Sequence, residues 1–145
     1  LTGLGDALAR LEKLAEATAS LRQAIELRQE LGQFPLEMES RAGLARVALA
    51  RGDRDEAQSQ VDQVLDYLDS GQELSGTEIP FLIHLTCIQV LEANHDPRAG
   101  EVLGKVYDQL QERAASIPDE ATRHAFLEKV PWHREIVRIG QERKL

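Results

Sequence analysis

The side chains that could carry chemistry in this sequence are few and scattered. His84 and Cys87 stand three residues apart, close enough on one face of a helix for both to touch a single metal ion. Two ligands do not make a site, and no second pair stands at metal-ligand spacing. Cys87 reads instead as a small packing residue, because buried thiols behave as small hydrophobes. His124 and His133 flank a helix break and could approach each other as a pH-sensing pair, against the plainer reading as surface histidines. Carboxylates are abundant, at Glu12, Glu16, Asp53, Asp55, Glu56, Asp119 and Glu120. Nearly all fall at helix starts or on polar faces, where capping and solvation account for them better than acid–base catalysis does. There is no glycine-rich phosphate loop, no serine elbow and no zinc-protease His-Glu pattern. Trp132 reads as a core residue of a terminal helix rather than a ligand platform. The expectation is a protein without catalytic residues, cofactor or metal.

Composition narrows the partners. The 145 residues make one domain, long enough to hold a core without disulfides or metal. Aromatics are only 4% of the chain, so Ala and Leu must do the packing, which suits close-spaced helices better than a sheet. A net charge of −8 argues against a nucleic-acid surface, which wants a basic patch, and disfavours an anionic membrane. No apolar run approaches the ~18 residues of a membrane span. The single cysteine excludes an internal disulfide and fits a reducing, cytoplasmic compartment.

The elements that must position any functional residue are all helical. Helix one is expected from Thr2 to Glu12 and helix two from Leu14 to Leu31, with Lys13 and Leu14 at a boundary that has no turn signal. Gly32 stops helix two, and Pro35 helps start helix three, which runs to Arg51. Gly52 closes it cheaply at positive φ, Asp53 caps helix four, and Glu56 completes a capping-box pattern. Ala57, Val61, Val64, Leu65 and Leu68 line helix four to Asp69. SGQELSG is a loop, Thr77 caps helix five with Pro80 in its first turn, and Asp96-Pro97 starts helix six, which reaches Ser116. Pro118-Asp119-Glu120 opens helix seven, and Pro131 separates it from helix eight.

Laid against itself, the chain repeats. Leu4-Gly5, Leu8, Ala17, Leu21 and Ala24 match Leu44-Ala45, Ala48, Ala57, Val61 and Val64 at an offset of 40 residues; Thr86-Cys87, Val90, Ala99, Leu103 and Val106 match these at 42. This order of large, small and apolar residues around a turn, best seen in LTGLGDALARLEKLAEATASLRQAI and LARVALARGDRDEAQSQVDQV, resembles the tetratricopeptide repeat. The spacing exceeds the usual 34 residues of that repeat. The resemblance implies an all-α, right-handed superhelix of about three hairpins (1–36, 37–76 and 77–117), with the helices of 118–145 as a terminal cap.

The same resemblance implies a function in protein–protein interaction or regulation. It places the first helix of each hairpin on a concave side, presenting Asp6 and Arg10, then Glu39 and Arg46, then His84 and Ile88. The expected partner is a protein, a peptide or another domain of a longer chain. A second expectation is self-association: Leu1, Leu4, Leu8 and Leu11 form a stripe on helix one with no preceding repeat to cover it, and two copies could meet there as a homodimer. The chain starts at Leu1 inside a repeat, so it reads as a fragment. Its tail, SIPDEATRHAFLEKVPWHREI, is similar to the ends of tetratricopeptide regions in large bacterial signal-transduction ATPases and transcriptional regulators.

Overall fold

A computed structural model describes the backbone of residues 2–74, 77 and 79–143, with side chains from residue 5 onward. Seven helices pack in sequence: α1 (Thr2–Glu30), α2 (Phe34–Ala50), α3 (Arg54–Asp69), α4 (Pro80–Ala93), α5 (Arg98–Ala115), α6 (Glu120–Glu128) and α7 (Pro131–Glu142). There is no strand among the described residues.

The first hairpin is the main departure from expectation, because helices one and two are one continuous helix, α1. The physical reason lies at the boundary. Glu12, Lys13, Leu14 and Ala15 are strong helix formers, and nothing there accepts positive φ or competes for backbone hydrogen bonds. The other two hairpins do turn. Gly52 takes φ +80°, and the Asp53 amide reaches back to the Ala48 carbonyl at 2.8 Å. His95 takes φ +54°, and the Asp96 amide reaches the Leu91 carbonyl at the same 2.8 Å. These are matching helix ends with a left-handed residue after the last turn.

Caps follow in part. Asp53 accepts the Glu56 amide at 3.1 Å, and Asp119 accepts the Thr122 amide at 2.9 Å. The Glu56 carboxylate does not complete the capping box; it accepts from Arg22 and from Gln60 instead. Thr77 does not cap α4. Its hydroxyl donates to the Leu74 carbonyl at 2.7 Å, and the helix starts three residues later at Pro80, whose fixed φ suits a first helical position.

The core falls into two clusters that meet on α4. One gathers Ala42, Ala45, Ala48, Ala57, Val61, Val64, Ile83, Cys87 and Val90 between α2, α3 and α4. The other gathers Phe81, Leu85, Ile88, Leu103, Val106, Leu110 and Ile136 between α4, α5 and α7, with Trp132 packed against it. α4 lies against both α2 and α3, and α7 lies against both α4 and α5 in the same manner. The second half of α1 packs on α2, with Thr18 bonded to Arg51 and Gln29 to Glu37. Residues before Thr18 therefore run beyond the end of α2.

Candidate functional site

Two candidate surfaces stand out among the described residues. The first lies where α2 and α4 run side by side. Arg46 donates from Nη1 to Thr86 Oγ1 at 2.8 Å, and the Thr86 hydroxyl donates to the Leu82 carbonyl. Burial lowers the Arg46 pKa from its ordinary value, and Glu39 beside it works the other way. Glu39 and Arg46 are both half-buried on α2.

The other residues expected on that face are elsewhere. Asp6 and Arg10 are exposed on the free part of α1, and no hydrogen bond or ion pair among the described residues joins them to Glu39 or Arg46. Ile88 is fully buried in the second core cluster and offers no surface. His84 points into a different space, described below. Of the stripe Leu1, Leu4, Leu8 and Leu11, the side chains of Leu1 and Leu4 lie outside the described residues, while Leu8 and Leu11 are exposed.

The misplacement of His84 and Ile88 has a simple cause. The turns that close α2 and α4 are 43 residues apart, Ala48 to Leu91 and Asp53 to Asp96. The apolar positions of α3 and α5 are 42 apart, Ala57 to Ala99 and Val61 to Leu103, all buried. The second turn is one residue shorter. Carrying α2 onto α4 at 42 rotates the reading by about 100°, one helical residue. At 43, Arg46 corresponds to Gln89, which is exposed, and Glu39 to Leu82, which is half-buried. The turn pair Gly52-Asp53 and His95-Asp96 was the signal that could have found them.

The second surface is a groove between α3 and α5, floored by α4. Two adjoining cavities of about 680 Å³ and 210 Å³ share Leu68, Gln72, His84 and Gln109. Leu65 and Leu68 come from α3, Phe81 and His84 from α4, Val102, Lys105 and Val106 from α5. Among the described residues, the hydrogen bonds that join α3 to the start of α5 cluster at one end, where Arg98 bridges Asp96 and Asp62, each at 2.8 Å, and Gln58 reaches Asp96 at 3.0 Å. Past that clasp the helices part. Burial brings the His84 pKa down from 6.5 to about 4, so the ring at the floor is neutral.

His84 and Cys87 do not form a pair. Cys87 sits in the first core cluster, and burial pushes its thiol up to about 12. Among the described residues no three His, Cys, Asp or Glu side chains converge as a metal site would need. His124 and His133 are also apart. His124 is exposed, whereas His133 is buried, with Nδ1 2.8 Å from the Phe126 carbonyl and its ring edge-on to Phe81 at 5.2 Å. His133 holds α6, α7 and α4 together.

The seven helices pack sequentially, consistent with a tetratricopeptide helical repeat. A family model of the tetratricopeptide repeat matches residues 1–70, which span α1, α2 and α3. Neither a curated protein nor a solved structure matches the chain. Domains of the tetratricopeptide repeat are generally protein–protein interaction modules and typically non-catalytic. No described helix is long and apolar enough to cross a membrane.

Proposed function

We propose that the chain is a non-catalytic interaction module that receives a segment of a protein partner in the groove between α3 and α5. The observation that carries this reading is the composition of that groove. Leu65, Leu68, Phe81 and Val106 line it, with a neutral His84 among them. At its edge stand Lys105, Glu101, Glu112 and Arg113, none of which has an ion pair among the described residues. The occupant that fits is an amphipathic segment with apolar side chains for the floor and charges of both signs at its margins. The His84 ring adds one donor and one acceptor, and the two cavities together are of ordinary ligand-site size.

The face of Glu39 and Arg46, with Gln89 beside it, is a second reading. Its support is the exposure of Gln89 and the Arg46 donors that remain beyond Thr86. The similarity of the tail to regions of bacterial signalling ATPases and regulators supports placing this module in a longer cytoplasmic polypeptide, where another domain or a separate protein is the partner.

A peptide library displayed against the protein tests both readings. Peptides selected on it should lose binding to Leu68→Glu and to His84→Asp with Lys105→Glu, and keep it to Arg46→Glu. Loss with Arg46→Glu alone moves the site to the α2–α4 face. Selected peptides indifferent to every one of these changes overturn the proposal.

A further inference from the structure

The first helix leaves two surfaces incomplete. Residues 5–13 of α1 have no cover, with Leu8 58% and Leu11 54% exposed. Beside the other half of α1 lies a slot of about 360 Å³ between α1 and α2, lined by Leu21, Leu36, Gly43, Ser40, Glu39 and Arg46. α4 covers α2 on its other flank. The slot is thus where a helix preceding α2 in the same stack would lie.

Burial shows the same gap independently. Ala57 is 0% and Ala99 6% exposed, each packed beneath the first helix of its own hairpin. Their counterpart Ala17 is only half-buried, as are Leu21 and Ala24, while Val61 and Val64 are fully buried. What is missing over Ala17 is a first helix, and the internal repeat says which one. Gly5 and Leu8 stand in the pattern of Ala45 and Ala48, which belong to the cluster that buries Ala57. That segment is present in the chain but points away, because α1 runs straight through Lys13. A straight helix cannot fold back onto its own flank, but it can lie on the flank of a second copy.

We propose that two copies of the chain exchange residues 5–13 of α1. Each arm lies antiparallel along the other copy's α1 and fills the slot between that helix and its α2. The arm carries Asp6, Arg10, Glu12 and Lys13, and the slot carries Arg28, Glu39 and Arg46, so each side offers charges of both signs to the other. The exchange is reciprocal, so the dimer closes and leaves no stripe to recruit a third copy.

Light scattering of the intact chain across micromolar concentrations should give a dimer. Leu8→Asp with Leu11→Asp, two exposed positions whose change leaves the helical circular-dichroism signal intact, should raise the dimer dissociation constant at least ~100-fold. Ser40→Lys, which blocks the slot without touching the arm, should do the same. Replacing Glu12-Lys13 by Gly-Asp, the counterparts of Gly52-Asp53 at the 40-residue offset, should give a folded monomer whose arm closes on its own slot. A wild-type monomer at every concentration overturns the exchange. So does a dimer that survives Ser40→Lys, because the two arms would then merely lie against each other.

Discussion

Gly140 and Tyr107 are packed so closely that a Cβ on the glycine would overlap the tyrosine ring at Cδ2 and Cε2. This is the contact that lets α7 settle onto α5. The ring is half-buried, and it cannot swing clear of α7 without leaving that contact. Gly140→Ala should therefore lower stability by about 1–3 kcal/mol, the usual cost of overpacking, read from the urea midpoint. Adding Tyr107→Leu should recover part of that loss, with a coupling of about 0.5–3 kcal/mol between the two sites.

Glu37 and Arg41 form an ion pair of Oε2 and Nε at 2.7 Å on the inner side of α2, with both side chains nearly covered. Gln29 of α1 donates to the same carboxylate, and Arg41 donates to Gln60 of α3 at 2.8 Å. The network ties three helices, so removing one partner strands a covered charge. Glu37→Ala should cost about 3–5 kcal/mol in a denaturant titration, and Arg41→Met with Glu37→Leu should cost markedly less. If the double change costs as much as the single one, the charge is not what holds these helices.

The two hairpin turns differ in how well their residue suits its conformation. Gly52 is at home at φ +80°, whereas His95 at +54° bears the steric cost of a side chain there. Gly52→Ala should destabilise by about 1–2 kcal/mol, and His95→Gly should stabilise by a few tenths to 1 kcal/mol. Thermal melts of both variants side by side check the opposite signs.

Both His84 and His133 have pKa values lowered by burial, His84 to about 4. Folded His84 stays neutral well below pH 6.5, where it takes up a proton when unfolded, and burial shifts His133 in the same direction. Stability is thus fully present above pH 6.5 and is lost as the pH falls toward 4, with a slope of at most about 1.4 kcal/mol per pH unit for each proton. Partial solvent screening at His84 trims its share to the order of 1–2 kcal/mol. Asp96, held below the usual carboxylate range first by its hydrogen bonds from Arg98, adds a further loss only below pH ~4. Denaturant titrations at pH 7.5 and 4.5 should show a difference that shrinks in His84→Gln. An unchanged difference would place the titration elsewhere.

Much of the fold was legible because its signals are local. Gly52, Asp53, Pro80 and Pro131 mark helix ends by backbone chemistry that needs no neighbour. The buried stripes Ala57, Val61 and Val64, and Ala99, Leu103 and Val106, follow helical spacing. The continuous α1 was not legible from the repeat pattern, which suggested a turn that Lys13-Leu14 has no means to make. The surface proposed to receive the partner was the least legible part. A groove between α3 and α5 depends on how far two helices part beyond the Arg98 clasp, and no spacing within either helix encodes that. His84 stands out by type, but the 42-residue register that fits α3 and α5 falls one residue short on α4 and so puts His84 on the α2–α4 face instead of in the groove.

The shortened turn at His95 also says how such a stack can change. Removing one residue between paired helices leaves each core stripe intact, yet it re-aims everything the second helix displays relative to the first. Binding residues on inner and outer layers can therefore be dialled independently, through linker length alone, while the interior stays as it was. Grafting a recognition surface onto this scaffold should accordingly proceed helix by helix, never at one fixed repeat length.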